Sequence, residues 1–342
     1  MGYRVAVVGA TGNVGRETLA ILEDLEFPVD QIRAVASRKS IGVEVNFASE
    51  RIYCEAIDSF DFAQVDLVLM SVSAAFSREW SPKIAAQGPL VVDNSSAWRM
   101  DPDVPLIVPE VNPEAIVLAK KKGIIANPNC STIQMVVALK PLHDAARIKR
   151  VVVATYQASS GNGAKALREL DAQVSALGRG EPLPPARVHA ARLAGNVLPH
   201  DWKVGPDGYS EEESKMVFET QKILGDPSIR VSPTTVRVPV RVGHAEAVNL
   251  EFHNPITVEQ AREALRKAPG VVLLDDAARG EVPLPLLAEG RDEVFVGRVR
   301  ADPTVPHGLN LWVVADNLRK GAATNAVQIA EVLVQRGWLP RR

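Results

Sequence analysis

Tyr3-Arg4-Val5-Ala6-Val7-Val8-Gly9-Ala10-Thr11-Gly12-Asn13-Val14-Gly15 passes from a strand-like run straight into a glycine-spaced turn and on into a helical stretch. Tyr3–Val8 is apolar except for Arg4, the pattern of a strand covered on both faces. Gly9, Gly12 and Gly15 permit a tight turn. A helix over Gly12–Leu25 then brings its first backbone N–H groups, with their partial positive charge, to that turn. A glycine pattern alone is weak, but between a first strand and a first helix it reads as a loop that cradles a pyrophosphate. A plain glycine-rich turn is the alternative. On the first reading Gly9, Thr11, Gly12, Asn13 and Val14 are the cofactor contacts.

Outward from this loop, Gln31–Ala36, Leu67–Ser71 and Leu90–Asp93 are further apolar strands separated by helical stretches. Strands of this kind alternating with helices predict a doubly wound α/β domain with a parallel sheet. From about Val151 the pattern changes to longer, alternating strands: Val151–Gln157, Val231–Val240, Ala247–Phe252, Val294–Arg300 and Leu309–Ala315. Helices over Gly163–Ala176 and Glu211–Leu224 lie between them, which predicts an α+β second domain. The proline-rich stretch Gly180–Val188 reads as a surface loop. The expected division is 1–128 for the first domain, 129–315 for the second, and 316–342 for a segment whose helix, Ala322–Arg336, returns to the first.

Ser37-Arg38-Lys39-Ser40 follows the second strand. An acidic residue there would suit the ribose hydroxyls of NAD, whereas two cations and two hydroxyls suit a 2′-phosphate. Arg38, Lys39 and Ser40 therefore point to NADP, with a solvated basic turn as the alternative.

The bulk properties narrow the remaining classes. The 342 residues are 46% hydrophobic and 23% charged, with a formal net charge of -2, which fits a globular chain and argues against nucleic acid or an anionic membrane as partner. No apolar run approaches the ~18 residues of a membrane span, and the start of the chain does not read as a signal peptide. Two cysteines, Cys54 and Cys130, form neither a disulfide framework nor a metal motif. The expectation is a cytoplasmic protein without a metal.

Asn127-Pro128-Asn129-Cys130-Ser131-Thr132 precedes the apolar helical run Ile133–Leu139. Pro128 disfavours helix at Asn127, and Asn129, Ser131 and Thr132 are capping residues. Cys130 is thus expected at a helix N-terminus, where a thiolate is favoured and can act as a nucleophile in acyl transfer. Cys54, in the run Ile52–Ile57, reads instead as a small core residue.

Together Gly9–Gly15, Asn127–Thr132, Thr155–Gly161 and Arg237–His244 resemble the aspartate-β-semialdehyde dehydrogenases, as do Asp93–Met100 and Asp316–Ala322. The resemblance covers essentially the whole chain. It implies a Rossmann-type NADP-binding domain followed by an α+β catalytic and dimerisation domain. It further implies that His244 is the general base for Cys130 and later an acid, that Gln157 positions the acyl group, and that Arg237 holds the substrate α-carboxylate. Glu212 would pair with the substrate amino group, and Lys215, Arg99 and Asn129 would bind phosphate. Ser71, Ser160, Gly161 and Asn317 would contact the cofactor. If Val236–Val242 is a strand, Arg237 and Arg241 share one face, and only the resemblance singles out Arg237. The other histidines, His143, His189, His200, His253 and His307, are expected to be structural. Within Arg187–Lys203 only Gly195–His200 matches the family.

The implied reaction is NADPH-dependent reductive dephosphorylation of L-aspartyl-4-phosphate to L-aspartate-4-semialdehyde through a Cys130 thioester. It serves lysine, threonine, methionine and isoleucine biosynthesis. Inorganic phosphate is the second small molecule, and a homodimer or dimer of dimers is the expected assembly. An N-acetyl-γ-glutamyl-phosphate reductase shares the cysteine–histidine logic but would not need Glu212. A non-catalytic NADP-binding paralogue would not need Cys130, Gln157, Arg237 and His244.

Overall fold

The structure, a computed structural model, describes residues 2–199 and 201–339. His200 lies outside the described residues. Two compact units form, one from the residues up to Asn129 with those from Ala322 onward, the other from Cys130–Gly321. The sequence reading began the returning segment at 316, whereas Asp316–Gly321 stays with the second unit.

The first unit contains, in order, β1 (Tyr3–Val8), α1 (Asn13–Asp24), β2 (Val29–Ala36), the hairpin β3 (Glu44–Phe47) and β4 (Glu50–Tyr53), β5 (Glu55–Ala56), β6 (Leu67–Met70), α2 (Ala74–Ala85), β7 (Leu90–Asp93), α3 (Ala119–Lys122) and β8 (Ile124–Ala126). Its six-stranded sheet runs β5-β2-β1-β6-β7-β8, and every pairing is parallel. Strand order reverses between β1 and β6, the place where such sheets bind ligands. Gly9 follows β1 and Ser71 follows β6, so both stand at that point. α1 buries Thr18, Leu19, Ile21 and Leu22 along one face, as helical spacing requires. The sequence reading did not include α2. That helix buries Ser77, Ser81 and Ile84, and its serines donate to the buried Asp93 carboxylate, so its inward face carries little hydrophobic signal.

The second unit contains α4 (Cys130–Ala146), β9 (Ile148–Gln157), α5 (Ala164–Arg179), α6 (Glu211–Leu224), β10 (Arg230–Arg237), β11 (His244–Phe252), α7 (Val258–Lys267), β12 (Val271–Leu273), α8 (Pro285–Ala288), β13 (Val294–Asp302) and β14 (Gly308–Ala315). Its sheet is mixed, in the order β10-β9-β11-β14-β13-β12. α4 is buried from Ser131 to Leu139 on all sides and packs on β9, β11, β13, β14, α6 and α7. It is therefore the core helix of this unit. Beyond Gly321 the chain enters α9 (Thr324–Gln335), whose Ala326, Val327, Ile329, Ala330 and Leu333 join the core of the first unit.

One expectation fails here. β10 ends at Arg237, not Val240. The Val240 N–H bonds back to the Val238 carbonyl oxygen at 2.8 Å, a three-residue turn centred on Pro239 that breaks the strand alternation. Arg241 consequently does not share a face with Arg237: its side chain is exposed and paired with Asp171, while Arg237 is 1% exposed.

Candidate active site

In the first unit the turn after β1 is shaped by what a side chain would strike. Gly9 sits at φ +86°, and a Cβ there would lie 2.2 Å from the Ser71 carbonyl oxygen. At Gly15 a Cβ would lie 2.2 Å from the Gly9 carbonyl oxygen, so helix and turn could not approach as they do. Gly12 caps α1 without any side-chain bond, which leaves the helix-start N–H groups for a ligand. A cavity of about 220 Å³ opens here, lined among others by Gly9, Thr11, Ser37, Ser40 and Ser73. The buried Asn13 amide nitrogen has no partner among the described residues. An unmet donor in the first turn of the helix, together with a hydroxyl-lined cavity at the glycine turn, fits the phosphates of a dinucleotide.

Arg38, Lys39 and Ser40 form a short 3-10 turn at the mouth of β2. Ser40 lines the cavity, whereas the exposed Arg38 is paired with Asp58. Ser71 accepts a hydrogen bond from the Asn94 amide at 2.8 Å. Also in this unit, the buried Arg99 donates to the carbonyl oxygens of Asn127 at 2.9 Å and Asn94 at 2.8 Å. Asn129, which ends the unit, is buried as well.

In the second unit Cys130 is the first residue of α4, where the helix start favours a thiolate. A Cβ on Gly321 would lie 2.9 Å from the Cys130 Cβ, so glycine at 321 makes room for the cysteine. One helical position on, Ser131 accepts a bond from the Gln157 amide at 2.8 Å; the same amide reaches Glu212 at 3.1 Å. Lys215 closes the row, 3.2 Å from the other Glu212 oxygen. The stretch that would read from charge alone as a solvated patch is thus a buried carboxylate, Glu212 being 4% exposed. A Ser210–Glu213 capping box starts α6 at that point and fixes where Glu212 and Lys215 project.

His244 begins β11 and is wholly buried. Its Nδ1 accepts the Ala158 N–H at 3.0 Å, which places the proton of the neutral ring on Nε2. Nε2 itself has no partner among the described residues. Burial, and then the charge of Arg237, lowers the imidazole to about 3, against a raising effect from Glu212. The ring is therefore neutral at physiological pH and presents a donor. Next to it, a Cβ on Gly161 would lie 3.0 Å from Arg237 Nη1 and 3.4 Å from His244 Nε2. Both groups border the space that Gly161 leaves empty. Asn317 braces this corner by accepting the Gly243 N–H at 3.0 Å and exchanging hydrogen bonds with Ser160 at 2.9 and 3.0 Å.

Family models described as semialdehyde dehydrogenase, NAD binding domain, and semialdehyde dehydrogenase, dimerisation domain, match residues 4–119 and 139–320. The aspartate-semialdehyde dehydrogenase of Aquifex aeolicus is 55% identical over 340 residues, covering 99% of this chain and 100% of that protein. The chain belongs to the aspartate-semialdehyde dehydrogenase family. Among solved structures, aspartate semialdehyde dehydrogenase II from Vibrio cholerae complexed with ASA superposes with a TM-score of 0.95 at 47% identity, over 98% of this chain and 99% of that one. The aspartate semialdehyde dehydrogenase with NADP from Candida albicans superposes at 0.76 with 26% identity, over 99% of this chain and 100% of that one.

For this member of the family the sequence reading missed the groups that hold the named residues. Ser131 receives Gln157, Ala158 supplies the N–H that orients His244, and Asn162, Asp201 and Trp202 surround Arg237. His189, expected to be structural, is buried and fully bonded, and its neighbour is Asp201. No spacing signal marks these residues. Among the described residues no cluster of three or more potential metal ligands occurs and no helix is long and apolar enough to cross a membrane.

Proposed function

We propose that this chain catalyses NADPH-dependent reductive dephosphorylation of L-aspartyl-4-phosphate to L-aspartate-4-semialdehyde. The observation that carries the reading is the corner at Gly161, where the neutral His244 donor and the Arg237 cation face one space in the unit that holds Cys130. Arg237 binds the substrate α-carboxylate through its remaining N–H groups, and Glu212 accepts from the substrate amino group. The Cys130 thiolate attacks the β-carbonyl. Phosphate leaves as the thioester forms, and Lys215, Arg99 and Asn129 carry the phosphate-binding assignment.

His244 Nε2–H donates to the carbonyl oxygen as it gains negative charge. Taking a proton from Cys130 would require the ring to give up its bond from Ala158, so the structure favours the donor role over the expected first role as base. The Gln157 amide orients the acyl end from Ser131 and Glu212. A free carboxylate is too electron-rich to be reduced, which is what the thioester overcomes. A dinucleotide bound by the first unit supplies the two-electron reduction. Gly9, Thr11, Gly12, Asn13 and Val14 would hold its phosphates, and Arg38, Lys39 and Ser40 its 2′-phosphate. Ser71, Ser160, Gly161 and Asn317 keep the remaining cofactor assignments.

We assign a homodimer, or a pair of such dimers, as the assembly and a reducing cytoplasm, which suits two cysteines outside any disulfide, as the compartment. The test is oxidation of aspartate semialdehyde with NADP and with NAD, each with and without inorganic phosphate. Activity that requires phosphate and prefers NADP, and that vanishes in Cys130→Ala, is expected. Undiminished activity without phosphate, or in Cys130→Ala, overturns the acyl-phosphate reading.

A further inference from the structure

The guanidinium of Arg237 is held on three sides before any substrate arrives. Its Nε donates to Asp201 Oδ2 at 2.9 Å, Nη1 to the Ala158 carbonyl oxygen at 2.8 Å, and Nη2 to Asn162 Oδ1 at 2.7 Å. The Trp202 ring lies against it, 4.6 Å from its carbon to the ring centroid. Five N–H groups less these three leave one on Nη1 and one on Nη2. Nη1 is the atom that borders Gly161 beside His244.

Asp201 is itself built into place. Its Oδ2 also accepts from the Asn162 amide at 2.7 Å and from His189 Nδ1 at 3.2 Å, and its Oδ1 accepts the Ala190 N–H at 3.0 Å. The Asp201 and His189 side chains are 1% and 0% exposed. Burial alone would raise the Asp201 carboxyl, but bonds from His189, Ala190 and Arg237 outweigh it and hold the group well below the usual carboxylate range. Because a carboxylate only accepts, His189 Nδ1 carries a proton, and in the neutral ring Nε2 accepts from the Ser159 hydroxyl at 2.9 Å.

The loop that bears these residues is tied to α5. Glu169 accepts the N–H groups of Arg187, Val188 and His189, and Gln173 accepts those of Leu193 and Ala194.

We propose that Asp201, fixed by His189, is the positioning residue that aims Arg237 at the substrate carboxylate. The proposal rests on the reading that Arg237 binds this carboxylate. A buried cation needs a counter-charge, and a planar fork discriminates only if its plane is fixed. Asp201 meets both needs from the side of Nε, away from the two N–H groups left for the substrate. A loop in which no motif names a functional residue at 189 or 201 therefore supplies the support for the substrate clamp.

Full-length Asp201→Asn, His189→Asn and Arg237→Lys are compared in the oxidative direction, with KM for aspartate semialdehyde and for phosphate, kcat, and thermal midpoint measured on each. Asp201→Asn and His189→Asn should raise the semialdehyde KM about tenfold or more, while the phosphate KM stays within about twofold. A merely structural role would move both KM values together. Folded variants whose semialdehyde KM stays within about twofold of wild type, or whose two KM values rise in parallel, overturn the proposal. If Asp201→Asn does not fold, His189→Asn decides. Arg237→Lys separates the layers: an unchanged semialdehyde KM there removes the reading of Arg237, whereas a raised one with unaffected Asp201 and His189 variants removes only the positioning role.

Discussion

Glu246 offers the sharpest physical test of the catalytic unit. It lies two residues after His244 on β11, is 0% exposed, and neither of its carboxylate oxygens has a partner among the described residues. Gln134, one turn along α4 from Cys130, is the hydrogen-bonding side chain beside it, and Gln134 Oε1 is likewise without a donor. Burial without a partner disfavours the charged form, so Glu246 is a neutral acid. Burial raises its carboxyl well above the ordinary value of 4.5, against a lowering effect from Gln134. The Gln134 amide in turn points at the His244 carbonyl oxygen, at 3.4 Å.

A carboxyl protonated in the native state and ionised in the unfolded chain makes the native state the better proton binder. Its contribution is complete below the unfolded value of 4.5 and is lost as pH rises toward the raised native value. Within that window the loss is about 1.4 kcal/mol per pH unit. Glu246→Gln keeps the size and polarity of the side chain and removes the ionisation. Urea unfolding at one protein concentration and at pH 5, 6 and 7 should therefore show the variant gaining on wild type as pH rises, by up to about 1.4 kcal/mol for each unit. The difference between the two proteins cancels every other titrating group. Parallel stability curves would mean that Glu246 is ionised in the native state, and the argument from its unpartnered burial would fall.

Three further outcomes follow from the same geometry. Gly161→Ala places a Cβ 3.0 Å from Arg237 Nη1 and 3.4 Å from His244 Nε2, so kcat/KM for the semialdehyde should fall at least about tenfold with the thermal midpoint retained; unchanged kinetics would show that the corner at 161 is not where substrate sits. The His244 imidazole, lowered to about 3, should give ring-proton NMR shifts that stay flat between about pH 5.5 and 8, where an unperturbed histidine titrates. A titration near the ordinary value, assigned by its loss in His244→Gln, would remove the neutral-donor role. Gly9→Ala adds a Cβ 2.2 Å from the Ser71 carbonyl oxygen at φ +86°, and NADPH affinity by fluorescence titration should fall about a hundredfold or more if the turn carries the phosphates. Affinity within about threefold of wild type would refute that loop assignment.

What could be read from the sequence is what neighbouring residues decide. The turn from Gly9 to Gly15 states its own backbone requirements, and Pro128 with the capping residues around Cys130 marks a helix start that the structure places at Cys130. His244, Arg237 and Glu212 were reached through motifs of a family, not from their own chemistry, and the structure brings Gln157 and Glu212 together across 55 positions of chain. Asp201 was out of reach because its partner Arg237 is 36 positions away, and the loop that leads to it is shaped by Glu169 and Gln173. The pairing of Arg237 with Arg241 fails at Pro239, where a three-residue turn from Val238 to Val240 breaks the alternation.

Glu246 shows why charge alone misleads. A carboxylate in an alternating strand is ordinarily assigned to the solvent side, which would make the neighbours Ala245 and Ala247 the inward pair. But side chains on a strand alternate with a period of two. His244, Glu246, Val248, Leu250 and Phe252 share one face, and every one of them is buried. Facing His244 inward, where its Nε2 donor borders the Gly161 corner, commits Glu246 to the interior as well, beneath α4. The buried acid is then a consequence of burying the histidine, and a proton on the carboxyl is how the fold accommodates it.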